Sequence, residues 1–404
     1  MTRREIVLAA IDHKETPRIP IDLGGMDSTG ITAIAYNNLK KHLEIAGGYT
    51  RVYDPYQQIA IVEDEVLTAI GADVKPVPLL PKQWKPSKLP DGSACEVPEK
   101  WNPVLHPDGS QAIVDQDGIV QAVMPANGLY FEPVNSPLAA ASSIEDIGKS
   151  LALIESVDWP SFCDEEYAGL EKRAREIYQN SDYAVMGNFA VHIFAGGQML
   201  RGYEQFMVDL LADRDLAHRL LELLTQVFIE RFDRYWKAVG EYVQIVNVND
   251  DLGTENAPMI SPELYKTMIK PYHKRLFSHI RESGARLFLH SDGSIYDLIS
   301  DLIDCGVQIL NPIQFSCKNM DLTRLKSEFG KDLTFWGGGC DTQQVLPFGT
   351  PEQVREHVTK CLSILAPNGG FVFNQVHNIQ PDAPSENIMA MYEAVRTFTQ
   401  SGCM

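Results

Sequence analysis

The chain has 404 residues, 44% of them hydrophobic, and a formal net charge of −19. This length suits a single large globular protein, since barrel domains with insertions reach roughly 400 residues. The strong negative charge argues against a general nucleic-acid binder and against polyanionic substrates, because both require a basic face or a local basic pocket.

The composition also indicates the cellular compartment in which the protein is expected. No stretch of about 18 consecutive apolar residues is present, so the sequence predicts no membrane span. The apolar part of the N-terminus covers only Ile6 to Ile11, which favours an amphipathic first helix over a signal peptide. Seven cysteines, an odd number without a Cys-x-x-Cys pair, are typical of a reducing environment, and we expect a cytoplasmic protein.

The first half of the chain alternates helices with short apolar strands. In chain order we expect a helix over 1–16, a strand at 18–22, helices at 31–44 and 58–70, a strand at 73–79, a helix at 164–179 and a strand at 183–187. The helical spacing over 204–238 predicts two successive helices that meet near residue 213.

The second half is more regular, and each strand leads into a capped helix start. Strands are expected at 242–248, 286–290, 307–310, 333–336 and 370–376, and helices at 294–303, 322–329, 350–365 and 384–400. Alternating strands and helices predict a parallel sheet, and eight such units predict an α/β (β/α)8 TIM barrel. An open doubly wound sheet is the alternative, but no Gly-x-Gly-x-x-Gly follows the first strand and no phosphate-binding loop exists.

Residues 81–136 break this pattern. They are dense in Pro, Gly and Asp, and their Asp-Gly pairs at 91–92, 108–109 and 117–118 are typical of hairpin turns. We therefore expect one barrel domain over 1–404, with a β-rich insertion at about 81–136 lying over one mouth.

Polar residues that follow the strands are the candidates for chemistry, because barrel enzymes carry their active sites at the carboxyl ends of the strands. His290 ends one strand, Asp292 lies two residues further on, and Cys340 follows a strand that is separated from the first by a single strand. Imidazole, carboxylate and thiolate are zinc ligands, so these three residues predict a catalytic zinc site, with Glu255 as a spare acid. The alternative is a hydrogen-bonded histidine and an unrelated buried thiol.

Two acids and a second histidine are candidates for proton chemistry. Asp250 and Asp251 follow the strand at 242–248, and only one of them is expected to face the mouth because strand neighbours alternate. His377 follows the last strand. The residues expected to contact substrate at the strand ends are Asn188, Asn249, Glu255, Trp336 and Gln375. Helix capping and ordinary packing remain open alternatives for all of them.

At these residues the chain resembles the uroporphyrinogen decarboxylase superfamily over nearly its whole length. The matching stretches are Arg18-Ile-Pro-Ile-Asp-Leu-Gly-Gly, Ile260-Ser-Pro-Glu-Leu-Tyr through Pro271-Tyr-His-Lys, Leu289-His-Ser-Asp-Gly-Ser, Gly306-Val-Gln-Ile-Leu-Asn-Pro-Ile-Gln, Trp336-Gly-Gly-Gly-Cys-Asp-Thr-Gln and Val376-His-Asn-Ile-Gln. The resemblance implies a (β/α)8 barrel and two known activities. One is cofactor-free decarboxylation of uroporphyrinogen, and the other is zinc-dependent methyl transfer to or from a corrinoid protein.

The details of the resemblance favour methyl transfer. The decarboxylases carry an arginine-rich segment that holds the substrate's carboxylates, and the corresponding stretch here, Asp22-Leu-Gly-Gly-Met-Asp-Ser-Thr-Gly, has no arginine. The zinc methyltransferases carry His-x-Cys and a later Cys. His290 matches the histidine, Cys340 matches the later cysteine, and Asp292 replaces the middle cysteine.

We therefore expect a zinc-dependent methyltransferase that acts on a small methyl donor, such as a methoxylated compound, together with a corrinoid. The corrinoid is expected on a partner protein, because no Asp-x-His-x-x-Gly cobalamin pattern is present. Related barrels are commonly homodimers. The alternatives are a metal-free decarboxylase of a small acid, and a non-catalytic barrel that binds a corrinoid or a tetrapyrrole.

Overall fold

The computed structural model describes residues 1–155 and 164–398. The strands in this part of the chain are β1 (Val52–Asp54), β2 (Ile59–Ala60), β3 (Val74–Val77), β4 (Trp84–Lys88), β5 (Ala94–Pro98), β6 (Val104–Leu105), β7 (Gln111–Val114), β8 (Val120–Met124), β9 (Glu132–Pro133), β10 (Ala184–Asn188), β11 (Ile245–Asn249), β12 (Arg286–His290), β13 (Ile309–Asn311), β14 (Thr334–Trp336) and β15 (Phe371–Val372).

The α-helices of the same residues are α1 (Arg3–Ile11), α2 (Ala33–His42), α3 (Asp64–Ile70), α4 (Ile144–Lys149), α5 (Leu151–Ile154), α6 (Asp164–Asn180), α7 (Phe194–Arg201), α8 (Tyr203–Ala212), α9 (Arg214–Val239), α10 (Pro262–Leu264), α11 (Lys270–Glu282), α12 (Ile299–Cys305), α13 (Leu322–Phe329), α14 (Val345–Phe348), α15 (Pro351–Leu365) and α16 (Ser385–Thr397). A π-helical stretch, Tyr265–Ile269, joins α10 to α11. None of these helices is long and apolar enough to cross a membrane.

Seven parallel strands form one curled sheet in the order β15-β14-β13-β12-β11-β10-β3. Consecutive strands are neighbours and are joined by helices, as expected for repeated strand–helix units. The backbone at 20–22 hydrogen-bonds to both edges of this sheet: Asp22 N–H donates to the Phe373 carbonyl (2.9 Å), and Asp73 N–H donates to the Ile21 carbonyl (2.8 Å).

Side chains fill the inside of the curled sheet, and α1 covers the amino-terminal end of its strands. Met186, Phe288 and Ile309 are fully buried and pack against Val7 and Ala10 of that helix. Thr2 begins α1 with a capping box in which its hydroxyl accepts from the Glu5 N–H. The amino-terminal end of the strands is therefore occupied by packing, and the carboxyl end remains for chemistry.

The segment between β3 and α4 forms two antiparallel sheets, β4-β5 and β6-β7-β8-β9. Gly92, Gly109 and Gly118 have positive φ values of 81–88° in the turns, as the Asp-Gly pairs predict. The turn after β8 reaches the carboxyl end of the parallel strands, because the Tyr130 hydroxyl donates to Asn378 Oδ1 at 3.1 Å.

The structure confirms the α/β class, and many predicted elements differ from the observed ones only at their ends. The strand predicted at 18–22 is reduced to an isolated bridge between Ile21 and Phe373, and the helix predicted at 58–70 begins at Asp64 because residues 59–60 pair with β1. The split of 204–238 is found at Asp213, whose carboxylate caps α9 by accepting from the Leu216 N–H. The helix predicted at 294–303 starts later, because residues 296–298 form a 3-10 turn before α12. The last two residues of the helix predicted to run to 400 lie outside the described residues, as do Cys163 and Cys403.

Arg18 and Asp73 form an ion pair that ties the segment 20–22 to β3. Asp73 is fully buried and accepts from Arg18 Nη1 (2.6 Å) and from Ile21 N–H (2.8 Å). It lies directly before β3, so these bonds hold the segment 20–22 against the edge of the sheet that β3 forms. We expect Asp73→Asn to lower the free energy of unfolding by about 2 kcal/mol, because the Arg18 side chain is only half-buried and water compensates part of the loss.

Guanidinium chloride denaturation measures this change. The control is Glu145→Gln, whose exposed pair with Lys149 is expected to leave the midpoint unaltered. Equal midpoints for the wild type and Asp73→Asn would show that the pair does not hold the segment in place.

Candidate active site

The carboxyl ends of the parallel strands carry a ring of polar residues. β10, β11, β12 and β13 end at Asn188, Asn249, His290 and Asn311, respectively. Asn249 is in register with His290, and His290 is in register with Asn311. In-register neighbours of a sheet point to the same face, so these side chains meet inside the mouth.

Hydrogen bonds fix the orientation of His290. The Asn311 amide donates through Nδ2 to the Trp336 carbonyl (2.7 Å), which leaves Oδ1 as an acceptor towards His290 Nδ1 (2.7 Å). Nδ1 of His290 therefore carries the proton in the neutral ring, and Nε2 carries a lone pair. The Ser28 hydroxyl lies 3.2 Å from this Nε2 and can donate to it.

His290, Asp292 and His377 bring three potential metal-ligand atoms together. Asp292 Oδ2 lies 3.7 Å from His290 Nε2 and 3.6 Å from His377 Nε2. Three such atoms, one from each residue, all lie within 4.8 Å of one another. His377 has a φ of 60°, a left-handed backbone conformation that costs energy and is concentrated at functional sites.

The donor set and its spacing fit zinc. Zinc bonds to His nitrogen and carboxylate oxygen are about 2.0–2.2 Å long, so tetrahedral ligands lie about 3.4 Å apart. The separations of 3.7 and 3.6 Å between Asp292 and the two histidines are close to this value. The second oxygen of Asp292, Oδ1, is buried and has no hydrogen-bond partner among the described residues. Metal-bound histidines ordinarily donate their second ring N–H to another group of the protein, and His290 donates its Nδ1–H to Asn311 Oδ1 in the same way.

Cys340 lies apart from this group. Its thiol is fully buried and donates to the Asp341 carbonyl at 3.7 Å. Burial, together with the nearby Cys361, raises the pKa of the Cys340 thiol well above its usual range. The sequence predicts zinc ligation by Cys340, which the structure does not test, and the geometry favours His377 in its place.

The two adjacent aspartates point to different places. Asp250 is buried and accepts from the Phe194 N–H (2.7 Å) and the Ala195 N–H (2.8 Å) at the start of α7, and it pairs with His273 Nε2 at 2.7 Å. These bonds support a structural role, and proton transfer by Asp250 stays a prediction. Asp251 is half-exposed, lies 3.8 Å from His290 Nε2 and accepts from the Asp292 N–H, so it is the aspartate that faces the mouth.

The residues predicted to contact substrate are distributed unevenly. Trp336 and Gln375 are fully buried, and their side chains bond to Asp22 Oδ2 and to the Thr29 carbonyl, respectively. Asn188 and Asn249 lie at the mouth, whereas the side chain of Glu255 is exposed. Substrate contacts by these five residues stay predictions, and the position at the strand ends supports them best for Asn188 and Asn249.

Sequence reasoning missed a second wall of the mouth, which comes from the first quarter of the chain. The Tyr53 hydroxyl donates to Asp27 Oδ1, and burial raises the pKa of Asp27 while His290, His192 and His377 lower it. Burial and the charge of Asp27 raise the pKa of Asp54 to about 7. Asp27 follows the strand predicted at 18–22, and its position after a predicted strand is the sequence signal that could have identified it as a site residue.

Comparisons with known proteins assign the chain to a family. The family model for uroporphyrinogen decarboxylase (URO-D) matches residues 183–398, more than half of the chain. The chain therefore belongs to the uroporphyrinogen decarboxylase family. The matched region contains His290, Asp292 and His377.

Individual relatives carry two kinds of names. A uroporphyrinogen decarboxylase of Thermus thermophilus is 25% identical over 214 residues, covering 51% of this chain and 56% of that protein. Methylated-thiol–coenzyme M methyltransferase of Methanosarcina mazei is 23% identical over 184 residues, covering 46% of this chain and 45% of that protein. The chain spans about half the length of the curated relatives it matches.

A solved structure extends the likeness in fold to the whole chain. A methyltransferase from Methanosarcina mazei superposes with a TM-score of 0.58 and 14% identity, covering 98% of each chain. At this identity the likeness concerns the fold alone.

Asn311 is expected to fix the tautomer of His290. In Asn311→Ala the acceptor for Nδ1–H is lost, so both neutral tautomers become populated, and two lost buried hydrogen bonds lower stability by about 1–3 kcal/mol. Ring ¹⁵N shifts of metal-free protein labelled at histidine measure the tautomer, with His290→Gln for assignment and Asn102→Ala as an exposed control. A wild-type ring protonated at Nε2 would contradict the assigned hydrogen-bond chain.

Proposed function

We propose that the protein is a zinc-dependent methyltransferase that moves a methyl group between a small methyl donor, for example a methoxylated compound, and a corrinoid protein. The observation that carries the proposal is the group formed by His290, Asp292 and His377. Asp292 Oδ2 lies 3.6–3.7 Å from both histidine Nε2 atoms, and the three ligand atoms all lie within 4.8 Å of one another. A related protein named as a methyltransferase supports the same class of reaction.

His290, Asp292 and His377 would hold the zinc ion. When bound there, zinc would polarise the heteroatom of the donor and make it a better leaving group. Asn311 keeps the lone pair of His290 Nε2 available, and Asp251 positions the backbone of Asp292 by accepting its N–H at 2.9 Å. The broken carbon–heteroatom bond leaves its electron pair on the heteroatom, and Asp251 is placed to exchange the balancing proton.

The architecture belongs to the same proposal. We propose a single domain over 1–404 in which the segment 20–22 completes an eight-stranded barrel, with the β-rich segment at 81–136 as an insertion over its mouth. The hydrogen bonds of 20–22 to both sheet edges and the contact of Tyr130 with Asn378 support this. We also propose a corrinoid-carrying partner protein, a homodimeric assembly and a cytoplasmic location.

A metal-free decarboxylase of a small acid is the second candidate. Several relatives are named uroporphyrinogen decarboxylases, and Asp251 and His377 face the mouth as proton-transferring groups would. The loop at 22–30 has no arginine to hold substrate carboxylates, which makes this candidate the weaker one.

Metal content separates the two candidates. We expect about one zinc per chain in protein purified without chelator, because tetrahedral zinc needs the three ligands of the group plus one open position. Zinc should be lost in His290→Ala and in His377→Ala, retained in Cys340→Ala, and retained in the control His279→Ala, whose ring pairs with Asp233 on the surface. Circular dichroism checks that each variant is folded.

The same preparations are then tested for methyl transfer to a Co(I) corrinoid from methoxylated donors, before and after chelation. Zinc-dependent transfer supports the proposal. A wild-type protein that holds no metal even after zinc is supplied, and that releases CO₂ from small acids, would replace it with the decarboxylase.

A further inference from the structure

In the described part of the chain, four carboxylates lie at the mouth without a Lys or Arg partner. Asp251 and Asp292 lie 3.8 and 3.7 Å from His290 Nε2, and the hydroxyl of Ser28, which follows Asp27 in the chain, lies 3.2 Å from the same atom. Asp54 lies on the same wall, directly after Tyr53, whose hydroxyl donates to Asp27 Oδ1. Among residues 1–155 and 164–398, no Lys or Arg pairs with any of the four.

A metal ion would not balance this charge. A divalent ion held by His290, Asp292 and His377 would offset two negative charges. Burial raises the pKa of Asp27 and of Asp54, the latter to about 7, so the two charges that remain are fully present only above that pH. An anionic substrate would meet this field unfavourably, and a cationic one would be attracted to it. The charge of the substrate is therefore constrained by the mouth itself.

Deeper in the mouth are two buried amide oxygens. Asn188 Oδ1 and Asn247 Oδ1 have no hydrogen-bond partner within the described part of the chain, although their residues are only 8% and 1% exposed. Asn247 donates through Nδ2 to Asn249 Oδ1 at 3.1 Å, and Asn188 is in register with Asn247. Both amides therefore face the same side as His290, which is in register with Asn249.

An unsatisfied buried acceptor is costly, so these oxygens are placed for a ligand with N–H or O–H groups, or for polarised methyl groups beside a positive nitrogen. The mouth also contains aromatic rings, since Tyr53 bonds to Asp27 and the Tyr130 ring lies 6.5 Å from that of His377. Aromatic rings next to carboxylates are the surroundings in which proteins bind methylated ammonium groups.

We propose that the methyl donor is a small organic cation in which a methyl ether oxygen reaches the group of His290, Asp292 and His377. A separate methylated ammonium group is held by Asp27, Asp54 and the amide oxygens of Asn188 and Asn247. The methyl–oxygen bond breaks, its electron pair stays on the oxygen, and Asp251 supplies the balancing proton. This inference rests on the proposed function in taking the mouth as the substrate site. It replaces neutral methoxylated compounds with cationic ones as the preferred class.

A matched pair of probes tests the charge alone. Choline and 3,3-dimethylbutan-1-ol have nearly the same shape, and only choline is positively charged. By calorimetry on the full chain, with and without added zinc, at low salt and at a pH above the raised pKa of Asp54, choline is expected to bind at least about tenfold more tightly than the alcohol, and its affinity should fall as salt is added. Benzoate is expected to show no binding.

Variants connect the effect to the mouth. Asp27→Asn and Asp54→Asn keep the side-chain size and remove a charge, so each should weaken choline binding about fivefold or more and leave the alcohol unaffected. The matched control is Asp332→Asn, because Asp332 is exposed and lies just before β14, at the opposite end of the strands. Two independent variants keep the test decisive if one of them fails to fold.

The outcomes separate this inference from the proposed function. Choline binding that matches the alcohol, or benzoate binding more tightly than choline, would overturn the inference even if zinc-dependent methyl transfer from neutral donors were found. Choline selectivity that is lost in the two mouth variants would support it even if the protein held no zinc. Equal losses in Asp332→Asn would overturn it, since the effect would then come from overall charge.

Discussion

The backbone segment at 20–22 is the constraint on which the mouth depends. It hydrogen-bonds to Phe373 on one side and to Asp73 on the other, and so brings the last strand and the first strand of the parallel sheet to the same short piece of chain. The loop that follows carries Asp27 and Ser28 directly to the carboxyl ends of strands whose residues are more than 200 positions away. Without these two hydrogen bonds, the loop that carries Asp27 and Ser28 would not face His290, Asp292 and His377.

A second chain of contacts runs from the same segment into the site. The carboxylate of Asp22 accepts from the Trp336 indole N–H at 2.9 Å, and burial raises the pKa of Asp22 to about 6. The Trp336 carbonyl then orients Asn311, and Asn311 orients His290. Trp336 thus supports the site through its backbone and its ring while being fully buried itself. The orientation of His290 is consequently tied to the interior packing of the sheet.

Periodicity and strand-end position made much of this molecule predictable. The α/β class, the division of the long helical segment at Asp213 and the location of His290 and Asp292 follow from local patterns that neighbouring residues reinforce. The wall formed by Asp27, Tyr53 and Asp54 was not predictable in the same way. These residues reach the mouth through long-range contacts, and no spacing rule connects them with His290.

The direction of Cys340 was also hidden from the sequence. Gly337 and Gly338 have φ values of 114° and 71°, and a Cβ on Gly337 would overlap with the Pro312 carbonyl oxygen, so the chain turns sharply after β14. Strand alternation therefore cannot be extended from Trp336 to Cys340. His377 likewise lies five residues beyond the end of β15 and reaches Asp292 through a left-handed backbone conformation.

X-ray absorption at the zinc K-edge of the zinc-loaded protein tests the central claim most directly. Ligation by His290, Asp292 and His377 predicts only nitrogen and oxygen neighbours at about 2.0–2.2 Å, with the imidazole scattering of two histidines. A sulfur neighbour at about 2.3 Å would contradict it and would place a cysteine thiolate, such as that of Cys340, on the metal.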